Sequence, residues 1–238
     1  MATREDRLRT AVHQLKLRVA IDGPAGSGKS TVGLGLADAL ELPFLDTGLM
    51  YRAVAWLALR DNVASDDERA LTELATRAQL GLDSLGRALT VKGAHVGPEL
   101  QSRAVDAAVS AVSAHGAVRG ALVTRQRQIA DQRAIVMVGR DIGTVVLPDA
   151  PVKLWVTATA RTRAERRLAQ RDAGRPIEVV EAEIARRDGI DSTRAASPLV
   201  KAPDAVVVAT DGEAPEETIR RALEVVRARV EAWTAAKR

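Results

Sequence analysis

Residues 23–31 have the types and the spacing of a loop that binds phosphate. The three glycines in this stretch let the backbone turn sharply and point successive N–H groups inward, because no Cβ stands between the chain and an anion. Lys29 adds a positive charge for the outer phosphates, and the Ser30 hydroxyl is placed to ligate Mg²⁺. The predicted phosphate-binding residues are Gly23, Pro24, Ala25, Gly26, Ser27, Gly28, Lys29, Ser30 and Thr31.

The segments on either side of this loop are those that such a loop requires. An apolar run over residues 17–21 precedes it, and residues 31–40, rich in Ala and Leu, can continue as a helix. A glycine-rich turn before a helix would also fit the glycines. The order strand, loop, helix together with the fixed lysine and serine favours phosphate binding, with the helix dipole adding to it.

Two more apolar runs end directly in polar residues. Residues 42–45 lead into Asp46-Thr47-Gly48, and residues 134–138 lead into Gly139-Arg140-Asp141. Asp46 or Thr47 can simply cap the next helix. Asp141 can cap its own strand end, or its carboxylate can orient a substrate group or a magnesium-bound water. We favour a functional role for Arg140 and Asp141, because strand ends face the ligand crevice in parallel α/β proteins.

Arginine is concentrated in one part of the chain. Nine of the 29 arginines fall between positions 161 and 194, and Gly174 and Pro176 provide a flexible turn among them. Arginine bonds phosphate oxygens through a planar fork and stays charged. Acidic residues lie in the same segment, so a solvated helix face is the alternative. Beside a phosphate loop, we favour a lid that closes over nucleotide phosphates.

The arrangement of apolar runs predicts an α/β fold, a parallel sheet wound on both faces. Further apolar runs at 152–156 and 205–209 do not alternate between apolar and polar residues, which is typical of strands buried on both faces. Helical patterns over 160–171, 177–188 and 215–236 lie between and after them. Ligands then bind at the carboxyl ends of the strands, so we expect the polar residues after positions 21, 45 and 138 to converge.

The middle of the chain reads as an insertion between core elements. Ser65 and Glu68 have capping-box spacing, which predicts a helix from about residue 65 to 77. Over residues 80–96, short stretches of alternating apolar and polar residues are separated by glycines, which predicts small hairpins. Residues 99–131 have a helical pattern with a break at His115-Gly116. Residues 1–16, which precede the first strand, are predicted to be an N-terminal extension with a frayed helix.

Composition excludes several classes of protein. The chain has no cysteine and three scattered histidines, so disulfides and thiolate metal sites are excluded and a zinc site is disfavoured. No leader or long apolar segment stands out, which predicts a soluble cytoplasmic protein away from membranes. Five aromatic residues are few for a nucleic-acid-binding surface. The Asn-Lys-x-Asp segment with which GTPases read guanine is missing from the sequence. Small-molecule kinases and non-catalytic nucleotide sensors remain as classes.

From about Arg18 onward the sequence resembles the bacterial cytidylate kinases of the nucleoside monophosphate kinase group. The resemblance rests on motifs that occur in order: residues 21–31, Asp46-Thr47-Gly48-Leu49-Met50-Tyr51-Arg52, residues 139–146, residues 187–194 and Ser197-Pro198-Leu199. The first motif is shared by many NTPases, whereas the others together are specific to this family.

The resemblance implies transfer of the γ-phosphoryl group of ATP to CMP or dCMP with Mg²⁺, for which the loop places Ser30 as a ligand. We predict a monomer, and composition predicts no nucleic-acid or membrane partner. Kinases of the same fold that act on UMP, AMP, shikimate or gluconate are the nearest alternatives. The family pattern places residues 65–100 as the insertion that binds the monophosphate and residues 161–190 as the lid. It places residues at the CMP site as follows: Thr47, Tyr51, Arg52, Ser110, Arg119, Arg140, Asp141, Arg187, Asp191 and Arg194. It makes Lys29, Arg140, Asp141, Arg163, Arg166 and Arg167 the residues nearest the chemistry.

Overall fold

The computed structural model describes residues 3–170, 173–194 and 196–236. The chain divides into two compact units, the first formed by Met1–Leu42 and Ala134–Arg238 and the second by Pro43–Arg133. The strands are β1 (Arg18–Asp22), β2 (Phe44–Asp46), β3 (Gly81–Leu82), β4 (Leu89–Val91), β5 (Ala94–His95), β6 (Ile135–Gly139), β7 (Val152–Thr157) and β8 (Val206–Ala209). Each of the five predicted strands lies within two residues of an observed one.

Helices make up most of the remaining described chain. They are α1 (Arg4–Gln14), α2 (Lys29–Leu40), α3 (Thr47–Arg60), α4 (Glu68–Arg77), α5 (Arg103–Val112), α6 (Gly116–Gln132), α7 (Ala160–Gln170), α8 (Ile177–Thr193) and α9 (Pro215–Ala236). A 3-10 turn lies at Pro98–Gln101 and a single π-helical turn at Ile142–Val146.

The first unit is built on parallel strands in the order β6-β1-β7-β8. All five residues of β6 and four of the five in β1 are buried. Successive side chains of a strand point to opposite faces, so both faces of this sheet are covered. The predicted parallel α/β fold is therefore confirmed. In the register of β1 and β6, Asp22 pairs with Gly139, so the two strands end side by side.

Helix α2, which carries the end of the phosphate loop, packs closely against α9. A Cβ placed on Gly35 would lie 2.4 Å from the Ile219 side chain, so only glycine permits this approach. Helix α2 also packs on β6, and α9 packs on β7 and β8. The phosphate loop is thus anchored by a buried strand before it and a buried helix after it.

Helix α1 covers part of the predicted N-terminal extension. Thr3 and Asp6 form a complete capping box, and Leu8 and Val12 are buried. The Arg9 side chain donates to the Ala39 carbonyl at 3.0 Å, near the end of α2. The predicted frayed helix is therefore wrong for Arg4–Gln14, which is capped and packed; residues 1 and 2 lie outside the described residues.

Helices α7 and α8 contain the predicted lid segment. Ala164, Val180 and Ile184 form a buried cluster between them, with Leu168 and Ile177 packed against it. Helix α8 continues beyond the predicted end at residue 188 to Thr193, so Asp191 is helical. Residues 171 and 172, within the predicted lid, lie outside the described residues.

The second unit contains helices α3 to α6 and a small antiparallel sheet of β3, β4 and β5, as the alternating pattern predicts. The predicted start of α4 is wrong: Asp67, not Ser65, is the N-cap, and its carboxylate accepts from the Ala70 N–H at 2.9 Å. The Ser65 carbonyl instead bonds the His115 ring at 2.8 Å. His115 is the N-cap of α6, which agrees with the predicted break. Within the described ranges, no helix has the length and apolar character needed to cross a bilayer.

Candidate active site

The phosphate loop connects β1 to α2 and depends on glycine at specific points. A Cβ on Gly23 would lie only 1.9 Å from the carbonyl oxygen of Val156 on β7. Gly26 and Gly28 have φ values of +74° and +89°, which other L-residues rarely adopt. The backbone path by itself therefore requires glycine at these three positions.

The start of α2 is open to an anion. Gly28 is the N-cap and offers no side-chain oxygen to the first N–H groups of the helix. Ser30 and Thr31 are exposed on that first turn, whereas Lys29 is only 7% exposed. The Lys29 ammonium donates to the Pro24 carbonyl at 2.6 Å across the loop. Helix dipole, backbone amides and a held ammonium group together fit phosphate oxygens.

Asp22, the last residue of β1, is a charged residue that the predicted site does not include. Its side chain is 3% exposed and accepts hydrogen bonds from the N–H groups of Ile142 and Gly143, both at 2.7 Å. Burial raises the pKa of Asp22 to about 6, and the two N–H donors and Lys29 oppose that shift. An acidic residue directly after an apolar run was the signal that could have found it, as it found Asp141.

Directly after the end of β6, Arg140 belongs to a group of charged side chains that contact one another. Arg140 donates to one oxygen of Asp191 at 2.9 Å, and Arg194 lies 3.4 Å from the other oxygen. Asp141 is 4% exposed at the head of the π turn. Arg187 is partly buried on α8, one helical turn before Asp191. The structure thus brings together Arg140, Asp191 and Arg194, three of the residues predicted for the CMP site.

Two of the three predicted lid arginines contact the phosphate loop. The Arg163 guanidinium pairs with Asp188 at 2.6 Å and donates to the carbonyl oxygens of Ala158 at 3.2 Å and Ala25 at 3.3 Å. Because this side chain is buried, the pair holds α7 and α8 together beside the loop. Asp188 is a second residue that the predicted site omits.

Arg166 is held at the loop by a second network. It donates to the carbonyl and the hydroxyl of Thr210 at 2.7 and 2.8 Å, and lies 3.4 Å from the Gly26 carbonyl. The Thr210 hydroxyl in turn donates to the Ser27 carbonyl at 3.1 Å. Arg167 points to a different partner, Glu183 on α8, at 3.7 Å. No sequence signal marked Thr210, which is 183 positions from Ser27.

The second unit carries the remaining predicted CMP-binding residues. The Asp46 carboxylate caps α3 through the Gly48 N–H at 3.0 Å, and Thr47 is buried. Arg119, 3% exposed, lies with its guanidinium carbon 5.1 Å from the centre of the Tyr51 ring. Such a cation–π contact orients both groups.

Arg52 and Ser110 have different surroundings in that unit. Arg52 donates to the Leu100 carbonyl at 2.9 Å and pairs with Asp106. Ser110 is exposed on α5. Within this unit the structure brings Tyr51 and Arg119 together, and Arg52 has protein partners of its own.

No preformed metal cluster of three or more His, Asp or Glu side chains occurs in the described parts of the chain. Mg²⁺ in phosphoryl-transfer sites is usually held by one or two protein oxygens, waters and the substrate phosphates. The exposed Ser30 hydroxyl, at the head of a helix whose cap residue supplies no side-chain acceptor, fits a magnesium ion that is carried by the nucleotide.

Comparison with known proteins identifies a family. The family model for cytidylate kinase matches residues 19–228. A cytidylate kinase from Geobacillus sp. (strain WCH70) is 45% identical over 219 residues, which cover 90% of this chain and 98% of the relative. The cytidylate kinase of Mycobacterium avium (strain 104) is 48% identical over 219 residues, which cover 90% of this chain and 96% of the relative.

Longer relatives also exist. A bifunctional pantoate ligase/cytidylate kinase from Synechocystis sp. is 44% identical over 221 residues, and this chain spans 43% of its length. Among solved structures, a gluconokinase from Sinorhizobium meliloti 1021 matches with a TM-score of 0.50 at 13% identity, covering 94% of this chain and 98% of that one. At this identity the likeness shows the fold alone.

Proposed function

The chain belongs to the cytidylate kinase family, and we propose that it transfers the γ-phosphoryl group of ATP to CMP or dCMP, giving ADP and CDP or dCDP. One observation carries this proposal. An open helix N-terminus with its glycine loop follows β1. Arg140 follows β6, the neighbouring strand in the sheet, and is joined there by Asp191 and Arg194 from the end of α8. A site for donor phosphates therefore lies one strand away from a basic group that suits an acceptor phosphate.

On the donor side, the proposed ATP contacts are those of the phosphate loop. Backbone N–H groups of residues 25–28 and of the start of α2 bind phosphate oxygens, and Lys29 neutralises charge that develops on the moving phosphoryl group. Mg²⁺ would be held by Ser30 together with the phosphates, and when bound it supplies further charge neutralisation.

On the acceptor side, the nucleophile is already a phosphate oxygen, so no strong general base is needed. We assign Arg140, Arg187 and Arg194 to the phosphate of the monophosphate, and Asp191 with Arg194 to its sugar. Asp141 orients the acceptor. Arginine suits this task because its planar fork bonds two phosphate oxygens at once. The pairing of Arg140 and Arg194 with Asp191 holds both forks in place before substrate arrives.

The pyrimidine nucleotide is assigned to residues of the second unit. Tyr51 and Arg119 form a mutually oriented pair, and Thr47 lies buried at the start of α3. Arg52 and Ser110 complete the proposed set, Arg52 as a phosphate contact and Ser110 as a contact to the base. Buried polar groups that hydrogen-bond a base discriminate strongly against a base that leaves them unsatisfied.

Residues 161–190 are the proposed lid, with residues 65–100 as the insertion for the monophosphate. Arg163 and Arg166 lie against loop carbonyl oxygens, and Arg167 pairs with Glu183 on α8. We propose that these arginines approach the transferring phosphoryl group as the lid closes. Closure would exclude water, so that transfer to CMP outcompetes hydrolysis of ATP.

The assignment is tested by magnesium-dependent ADP release measured in parallel with CMP, dCMP, UMP, AMP, shikimate and gluconate as acceptors. We expect CMP and dCMP to give the highest kcat/KM. Preference for any other acceptor would replace the cytidylate assignment with another small-molecule kinase. ATP binding without turnover on any acceptor would favour a nucleotide sensor.

We propose further that the protein acts as a cytoplasmic monomer whose partners are nucleotides, without nucleic acid or membrane. Light scattering in the presence and absence of ATP and CMP measures the oligomeric state, and a mass of twice the chain would contradict the monomer. Co-sedimentation with anionic vesicles tests for membrane binding, and retention on single-stranded DNA at low salt tests for nucleic-acid binding. We expect the protein to bind neither.

A further inference from the structure

Asp22 occupies a position where the sheet ladder stops. In the register of β1 and β6 the last pair is Asp22 with Gly139. Beyond Gly139 the chain leaves the sheet, and residues 142–146 form a single π-helical turn. The first N–H groups of a helical turn have no partner within it and need an acceptor from elsewhere. The Asp22 carboxylate supplies both acceptors, one oxygen for Ile142 and the other for Gly143, each at 2.7 Å.

When ionised, the Asp22 carboxylate serves both N–H groups at once. Its two oxygens are both acceptors, so each can face one N–H. An asparagine of the same shape has one acceptor and one donor, and its NH₂ group would face a backbone N–H. The fit is also tight, because a Cβ on Gly143 would lie 3.3 Å from an Asp22 oxygen and 3.1 Å from the Lys153 side chain. Both the charge and the size of the residues at this junction are therefore constrained.

The turn that Asp22 holds begins directly after Arg140 and Asp141. The Arg140 guanidinium is held by Asp191 through its Nε–H, whereas Asp22 fixes the backbone that follows. We propose that Asp22 is a positioning residue, which locks the Arg140–Asp141 segment to the strand that enters the phosphate loop and so sets the acceptor phosphate in line with the donor. This inference rests on the proposed roles of Arg140 and Asp141 at the monophosphate.

The test is Asp22→Asn, with Kd for CMP and for ATP measured by calorimetry and with ADP release measured against both substrates. A misplacement of about 1 Å can cost about 100-fold in rate, so we expect kcat/KM for CMP to fall about 10- to 100-fold. Kd for CMP rises in parallel, while Kd and KM for ATP stay within about threefold. A residue that only supports folding would lower the amount of active protein and leave both substrates' constants unchanged.

Asp6→Asn is the matched control. The Asp6 carboxylate also accepts two hydrogen bonds, from the N–H and the hydroxyl of Thr3 at 2.9 and 2.8 Å, but it caps α1. We expect its kinetics to equal those of the parent protein. Should Asp22→Asn fail to fold, Gly143→Ala provides the same test, since the added methyl group pushes on the same junction while the carboxylate stays.

The outcomes separate this inference from the kinase assignment. Unchanged CMP constants in folded Asp22→Asn, or in Gly143→Ala where the first variant does not fold, overturn the role of Asp22. A rise in Kd and KM for ATP alone, with the constants for CMP unchanged, also overturns that role. If the parent protein binds CMP without phosphorylating it, the proposed reaction fails and the Kd values for CMP still decide the role of Asp22. If the parent neither binds nor phosphorylates CMP, both are overturned.

Discussion

Lys29 is a buried ammonium group whose position is set by the loop that it serves. It is largely removed from water and bonds the Pro24 carbonyl. A buried charge is costly unless it is paired or used, and proteins retain such groups mainly at functional sites. The geometry therefore supports a role for Lys29 in charge neutralisation and gives it little role in holding the fold.

Replacing Lys29 by alanine should abolish most of the activity and leave the protein folded. Loss of one preorganised charged group at a transition state costs at least about 100-fold in kcat. We expect a fall of that order in ADP release with CMP, with the thermal midpoint within a few degrees of the parent. Lys201→Ala, at an exposed lysine, should change neither quantity. Near-normal turnover of Lys29→Ala would contradict the phosphate-loop assignment.

Asp22 makes the free energy of unfolding depend on pH. Its pKa is raised from 3.8 to about 6, chiefly by burial, with Asp141 adding to the rise and Lys29 and two N–H donors opposing it. The folded protein therefore binds this proton more tightly than the unfolded chain does. Its contribution to stability is present below about pH 4 and is lost as the pH rises through about 6.

Asp22→Asn should remove this dependence. Between pH 4 and 7, the unfolding free energy of the parent should fall relative to that of the variant by up to about 3 kcal/mol, since two pK units correspond to about that amount. Urea denaturation of both proteins at pH 4.5, 5.5, 6.5 and 7.5 measures the difference. Parallel curves for the two proteins would show that the pKa of Asp22 is not raised.

At the scale of elements, helices α7 and α8 are joined by a small apolar cluster and by an ion pair whose arginine is buried. Ala164, Val180 and Ile184 pack together, and Arg163 pairs with Asp188. Few buried side chains hold this pair of helices, which is the condition under which a segment opens locally. A lid requires that property, because it must open to release product.

Val180 and its neighbour Val179 provide a matched test of this element. Val180 is fully buried in the cluster, whereas Val179 is 46% exposed. Val180→Ala should cost about 2 kcal/mol of local stability through lost burial, and Val179→Ala close to nothing. Hydrogen exchange of the amides in α7 and α8 measures the opening, which we expect to be faster in Val180→Ala alone. Equal exchange in the two variants would mean that the cluster does not hold these helices.

At the scale of the whole molecule, α1 lies outside the residues matched by the family model, 19–228. It nevertheless has a full cap, two buried apolar side chains and contacts to α2 and α9 in its own unit. None of the proposed substrate residues lies on it. Its contribution should therefore be to stability, and the predicted CMP and ATP sites should not depend on it.

Removal of residues 1–16 tests whether α1 contributes to stability and not to substrate binding. Burial of Leu8 and Val12 is worth about 3 to 6 kcal/mol in total, so we expect a truncated chain that begins at Leu17 to unfold at clearly lower urea concentration. Its kcat and both KM values should equal those of the full chain at 25 °C. The truncation lowers the net charge, and the exposed substitution Lys16→Gln in the full chain, which lowers it in the same direction, serves as the control for the charge change. Altered KM values in the truncated chain would assign α1 a role in substrate binding.

The sequence by itself determined the features that depend on neighbours in the chain. The phosphate loop was predicted because glycine, lysine and serine stand at fixed short spacings, and the parallel strands because continuous apolar runs mark burial on both faces. Arg140 and Asp141 were found because they follow such a run directly. The start of α4 was misplaced because Ser65 and Asp67 both offer capping oxygens, and only the backbone path selects between them.

Tertiary structure decided the contacts that join distant positions. Asp22 meets two amides 120 and 121 residues away, and Thr210 meets the Ser27 carbonyl 183 residues away. Asp22 meets the turn that follows the neighbouring strand β6, whereas Thr210 follows β8, which β7 separates from β1 in the sheet. Neither contact follows from local spacing. The same holds for Arg163 and Arg166, which contact the loop, and Arg167, which pairs with Glu183. The resemblance to the family made all three arginines candidates, and the packing of α7 gave each a different partner.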